Sequence, residues 1–169
     1  MRYGNEREMY PAVCTWLERF LKDRFKKSKV SVYDSSRSSL ARLIAERGLE
    51  TGLPPHWHSW DIQIDVVGFA QGDKSTKLAF VECKFVQLNL AHVSQLLGYS
   101  RVAMPEYSFL ISSNGIKDSL LQLFNTYSRH DILIYTSEAG RMAKSLTLAL
   151  WNSNCNGIDY ASAIPAMRR

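Results

Sequence analysis

The sequence predicts an α/β fold, a mixed β-sheet flanked by helices, on three observations. Stretches with apolar residues at helical spacing take turns with short alternating or wholly apolar runs. Two of the alternating runs, WDIQIDVVGFA and KLAFVECKF, are joined by the polar turn QGDKST, as in a hairpin. Finally, 169 residues with 46% hydrophobic and 22% charged side chains make one ordinary globular domain with enough chain to bury a core.

Taken in order, residues 5–27 carry Met9, Val13, Trp16, Leu17, Phe20, Leu21 and Phe25 near helical period, with Pro11 at the start where proline is tolerated. KVSVYD (29–34) alternates as a short strand. SRSSLARLIAERG is predicted helical, with a serine cap, a stripe of Leu40, Leu43 and Ile44, and Gly48 as its stop. TGLPPHWHS is a loop by its glycine and paired prolines. After the hairpin, LNLAHVSQLLGYSRV is a helix ending near Met104 and Pro105, YSFLIS a strand, GIKDSLLQLFNTYS a helix, and DILIYTS and SLTLALW strands. A polar tail, 153–169, ending in Met167, Arg168 and Arg169, is expected to fray. No repeat or linker divides the chain.

Composition narrows the function classes. No apolar run approaches the length of a membrane span, and no leader-like segment opens the chain. Cys14, Cys83 and Cys155 are odd in number and lack CxxC spacing, which argues against a disulfide framework or a structural zinc and for a cytoplasmic setting. The formal charge is +5. Between Arg19 and Arg47 nine basic residues face three acids, so nearly all the excess sits in one stretch. Such a run is either a solvated face or a footprint for a polyanion, with nucleic acid the natural partner. Its candidate contacts are Lys26, Lys27, Lys29, Arg37 and Arg42.

The hairpin carries the chemistry. Asp65 interrupts the apolar run of the first strand, and Glu82 and Lys84 close the second. Alternate strand residues share a face, so Glu82 and Lys84 point the same way, with Phe80, Val81, Cys83 and Phe85 expected to pack around them. Two acids and a lysine at one end of a hairpin can hold a hard divalent cation and orient a water. An acid-x-Lys triplet alone carries almost no information; charges that break strands otherwise reading as buried carry more.

These residues resemble the PD-(D/E)xK nuclease superfamily: Asp65 on the second strand and Glu82-Cys83-Lys84 on the third, in the order helix-strand-strand-strand-helix-strand. GNEREMY resembles the G-x-x-E-R-E start of archaeal Holliday junction resolvases. QLLGY, Gln95 to Tyr99, resembles the Gln-x-x-x-Tyr element of RecB-like nucleases. The resemblance covers about residues 5–112 and implies a restriction-endonuclease-like fold with core order αβββαβ; the helical stretch after the first strand is then an insertion that is not general to the family, and about 113–152 a C-terminal extension of the sheet. No proline precedes Asp65, so the PD dipeptide is absent. The resemblance further implies that Asp65, Glu82 and the Cys83 backbone carbonyl bind Mg²⁺, with Mn²⁺ as substitute, that Glu6 completes the site, and that Lys84 orients the attacking water. Gln95 and Tyr99 would face the site. The implied activity is hydrolysis of phosphodiester bonds, with DNA as partner, no membrane, and either a monomer or a homodimer.

Rivals exist at several positions. Asp61 lies four residues before Asp65 and would share its strand face, and Glu8 competes with Glu6 but falls about 200° round a helix from it. His56, His58 and Asp61 suggest zinc, yet lack further ligands at a recognisable spacing; aromatic loop packing is the plainer use. Gln95 and Tyr99 also form an ordinary i, i+4 pair. From another class, the chain would be a nucleic-acid-binding or assembly protein that keeps the fold without the chemistry.

Overall fold

The computed structural model describes residues 3–136 and 143–167. Arg168 and Arg169 at the end of the predicted tail, and Ser137 at the end of DILIYTS, lie outside them. A 3-10 turn at Glu6–Met9 leads into α1 (Tyr10–Arg24), then β1 (Lys29–Asp34). The insertion follows: α2 (Leu40–Arg47), begun by the Ser39 hydroxyl accepting from the Arg42 N–H and ended by Gly48 in the left-handed region at φ 61°, then a 3-10 turn at Pro55–Ser59. Next come β2 (Val66–Gln71), β3 (Thr76–Lys84), α3 (Leu90–Ala103), β4 (Tyr107–Ser112) and α4 (Asp118–Asn125). A 3-10 turn at His130–Leu133, β5 (Ile134–Thr136), β6 (Lys144–Asn152) and β7 (Gly157–Ile164) complete the chain.

These strands form one seven-stranded mixed sheet with helices on both faces. β1, β2 and β3 run antiparallel in sequence order; β3, β4 and β6 are parallel neighbours, with α3 making the crossover from β3 to β4. The outer edge of β6 is covered in two pieces, β5 against its beginning and β7 against its end. No helix among the described residues is long and apolar enough to cross a membrane.

The pleat sends alternate residues of β3 to two cores. Ala79, Val81 and Cys83 pack under α1 with Val13, Leu17, Phe20 and Leu21; Leu78 and Phe80 pack on the other face with Leu43, Val93, Leu96 and Phe124 from α2, α3 and α4. Gly68 lets α1 approach β2: a Cβ there would lie 2.5 Å from Leu21 Cδ1 and 3.1 Å from Leu17 Cδ2.

Four expectations need correction. The first helix is shorter than 5–27, because the start is a 3-10 turn and Lys26 and Lys27 fall in the turn after α1. β2 begins at Val66, so residues 61–65 are not strand, and Asp65 stands just before β2 and not on it. Their alternation is real, with Ile62 and Ile64 buried, but the Trp60 and Ile62 carbonyls accept from the Ala41 and Leu40 N–H groups at the start of α2 instead of joining the ladder. The polar tail contains β7, which finds its partner in the end of β6. Phe85 joins neither core.

Candidate active site

Register brings the two acids together. Val66 pairs with Val81 across β2 and β3, so one step further Asp65 comes opposite Glu82 where the strands separate. The chain enters β2 at a fixed place because Ser35, itself buried, donates its hydroxyl to the Ile64 carbonyl at 2.5 Å and its N–H to the Asp65 carbonyl at 2.9 Å. The Asp65 side chain is held on both oxygens: Oδ1 accepts from the Tyr10 hydroxyl at 2.7 Å and Oδ2 from the Cys83 N–H at 2.8 Å. A strand residue's N–H and C=O leave by the same edge, so the Cys83 carbonyl also faces the Asp65 side.

Glu82 is 4% exposed. Its Oε1 accepts from Lys84 Nζ at 2.8 Å, whereas Oε2 is buried with no hydrogen-bond partner among the described residues. Burial, and then the neighbouring Asp65, push the Glu82 carboxyl up to about 7; Lys84 opposes them. Burial raises the Asp65 carboxyl as well, against the pull of the Cys83 N–H and the Tyr10 hydroxyl. For Lys84 burial works downward, but Glu82, Asp65 and Glu6 outweigh it and keep the ammonium charged. The Tyr10 phenol is raised by burial and by Asp65, so it remains a donor.

In front of Asp65 opens a cleft of about 570 Å³ lined by Asn5, Glu6, Arg7, Tyr10, Ser36 and Phe85. Glu6 faces inward, accepting from the Phe85 N–H at 3.2 Å. Glu8 instead turns back on the chain start, accepting from the Gly4 N–H at 2.7 Å and from Asn5 Nδ2 at 3.0 Å. Asp61 is exposed, and its carboxylate has no hydrogen bond among the described residues.

Gln95 and Tyr99 lie on α3 one turn apart, Gln95 Nε2 donating to the Tyr99 hydroxyl at 3.3 Å. Neither hydrogen-bonds Asp65, Glu82 or Lys84 among the described residues. Three residues before Gln95, and so on the same helical face, His92 caps the start of α3, its Nδ1 accepting from the Asn89 N–H. Burial and then Lys84 lower the His92 imidazole below its usual range.

The basic stretch does not form one patch. Lys26, Lys27 and Lys29 are exposed at the far end of β1, about 17 Å of strand away from Asp34, which precedes the site. Arg42 is paired with Glu46 at 2.7 Å on α2. Arg37 follows the cleft residue Ser36 and is exposed. His56 packs against Trp60 and His58 against Trp57, and no group of three or more His, Cys, Asp or Glu side chains able to hold a metal occurs among the described residues.

Sequence reasoning missed Tyr10, Ser35, Arg7 and His92. Tyr10 had a readable signal, since it follows Glu6 by four residues; Ser35 had none, because its value depends on a register set thirty residues later.

The donor chemistry fits a hard divalent cation. A carboxylate oxygen buried without a partner is costly, and Glu82 Oε2 is one, opposite the second carboxylate of Asp65; Glu6, Asp65 and Glu82 do not, however, close into a three-carboxylate metal group among the described residues. No protein-family model, curated protein or solved structure matches the chain.

Proposed function

We propose that the chain is a magnesium-dependent nuclease that hydrolyses phosphodiester bonds in DNA, on a restriction-endonuclease-like fold. The observation that carries this is Glu82: a buried carboxylate with one oxygen tied to Lys84 and the other without a partner, facing Asp65 across the end of a hairpin. The element order α1-β1-β2-β3-α3-β4, with three antiparallel strands and a parallel fourth, supports the fold reading.

Asp65, Glu82 and the Cys83 carbonyl would hold Mg²⁺ or Mn²⁺, with Glu6 lining the cleft beside Asp65. Such an ion supplies Lewis-acid stabilisation of phosphate oxygens and makes a bound water more acidic. Lys84, kept charged by its neighbours, offers a fixed cation where negative charge builds on the phosphorus oxygens. Tyr10 and the Cys83 N–H orient Asp65.

One observation favours a second reading, a binding protein without the chemistry: both Asp65 oxygens already have protein donors, and Lys84 already neutralises Glu82. Cleavage of DNA with Mg²⁺, Mn²⁺ or EDTA separates the two. The nuclease should cut with either ion and stop in EDTA, and Glu82→Ala and Lys84→Ala should each abolish cutting while remaining folded. Either variant cutting at the wild-type rate would refute the assignment.

A further inference from the structure

Phe85 is a partly exposed aromatic side chain that belongs to neither core. It lies one residue beyond the lysine of the candidate site and makes no ring contact among the described residues, yet it lines the cleft beside Asp65 and Glu6. Its backbone is nevertheless fixed. Glu6 accepts from its N–H, Asn114 Nδ2 donates to its carbonyl, and the next carbonyl, that of Val86, accepts from Ser112 Oγ at 2.8 Å. Val86 and Leu90, which follow Phe85 in the chain, are 55% and 53% exposed. A side chain clamped at its backbone and showing part of its ring to the cleft is pre-organised to stack on something flat, with little ordering cost left to meet.

The charges around it say what that is. Arg7 is on the cleft wall and Arg37 follows the wall residue Ser36; with Lys84 engaged by Glu82 and with Glu6 and Asp65 lining the cleft floor, these two exposed guanidinium groups are the cations left to meet a phosphate. In a duplex the base faces are stacked on one another and the outside offers phosphates; only an unpaired nucleotide offers a face to an aromatic ring together with a phosphate to the cations. A cleft of about 570 Å³ has room for a nucleotide.

We propose that the cleft selects unpaired DNA, a single strand or the unpaired part of a branched substrate, by stacking a base next to the scissile phosphate on Phe85. This rests on the nuclease reading for the word scissile, but its test does not, because binding is measured without catalysis.

Affinities for a short labelled strand and for the blunt duplex of the same sequence are compared in EDTA, for wild type, Phe85→Ala and Phe85→Trp. The strand should bind more tightly than the duplex. Phe85→Ala should weaken the strand about tenfold and leave the duplex unchanged, and Phe85→Trp should restore the strand. A strand carrying abasic positions, which keeps its phosphates and loses base faces, should bind wild type as weakly as the intact strand binds Phe85→Ala. Preference for the duplex, an equal loss on both forms, no loss, or indifference to the abasic positions would each overturn the proposal. Metal-dependent cutting of duplex by a protein without strand preference would overturn it and leave the nuclease reading standing.

Discussion

Tyr10 and Asp65 stand 55 residues apart in the chain and 2.7 Å apart in space, the phenol donating to Oδ1. That bond ties the first turn of α1 to the mouth of the hairpin, so the helix and the acid move as one body.

Removing only the hydroxyl tests the tie. Tyr10→Phe should cost about 1–2 kcal/mol in denaturant unfolding, since a buried carboxylate oxygen loses its donor. It should also weaken Mg²⁺ binding near neutral pH, because Asp65 loses a partner that favours its ionised form. Calorimetric titration with Mg²⁺ reads the second effect.

Stability should fall as pH rises. The Glu82 carboxyl has an ordinary value of 4.5 and is lifted to about 7 in the fold, so the folded state favours the proton that the unfolded chain gives up. The stability this contributes is fully present below 4.5 and is lost as pH climbs through 7. Melting curves of the metal-free protein should therefore shift down between about pH 5 and about pH 8, and Glu82→Gln, which keeps the shape without the titration, should flatten the curve. Added Mg²⁺ should raise the wild-type midpoint most at the alkaline end, where the proton no longer competes, and should do little for Glu82→Gln.

How much of this was legible is best judged at single positions. Glu82 and Lys84 close an apolar strand, and that pattern alone points to them; the α3 and β4 elements after them follow from period and punctuation. Asp61 and Asp65 look equivalent in an alternating run. What separates them is backbone hydrogen bonding to the start of α2, a contact between segments twenty residues apart that periodicity does not encode. β7 was hidden for a related reason: its alternation is weak, and only the free edge of β6 makes it a strand. Phenylalanine beside a strand usually packs, and that Phe85 belongs to neither core shows only once both are filled without it.

The basic stretch should divide on mutation. Arg37→Ala, beside the cleft, should weaken short and long DNA alike and reduce the slope of log K against log salt by roughly 0.7–0.9. Replacing Lys26, Lys27 and Lys29 together should spare short strands and weaken only those long enough to run the length of β1, about 17 Å. Fluorescence anisotropy across a salt series separates the two. Arg42→Ala should leave the slope unchanged, its charge being engaged by Glu46.

Gly68→Ala should destabilise the fold by about 1–3 kcal/mol, because the added methyl meets Leu21 and Leu17 and forces α1 off β2. Since α1 carries Tyr10, the same change should weaken Mg²⁺ binding beyond what a surface glycine replacement does. Gly98→Ala, where nothing lies within 4 Å of the new atom, is the control and should stabilise α3 slightly.

Ser35 fixes the place where the insertion returns to the sheet. It grips Ile64 and Asp65 at the point where the chain comes back, beside the carboxylate, while the Gly52 and Thr51 carbonyls accept from Thr76 at the start of β3 and Leu40, Leu43, Ile44, Leu49 and Trp60 fill the core. Evolution, or a designer, is thus free to vary the exposed side chains of the histidine-rich turn, His56, His58 and Ser59, while Leu40, Leu43, Ile44, Leu49 and Trp60 keep the insertion in the core and the acid stays in register.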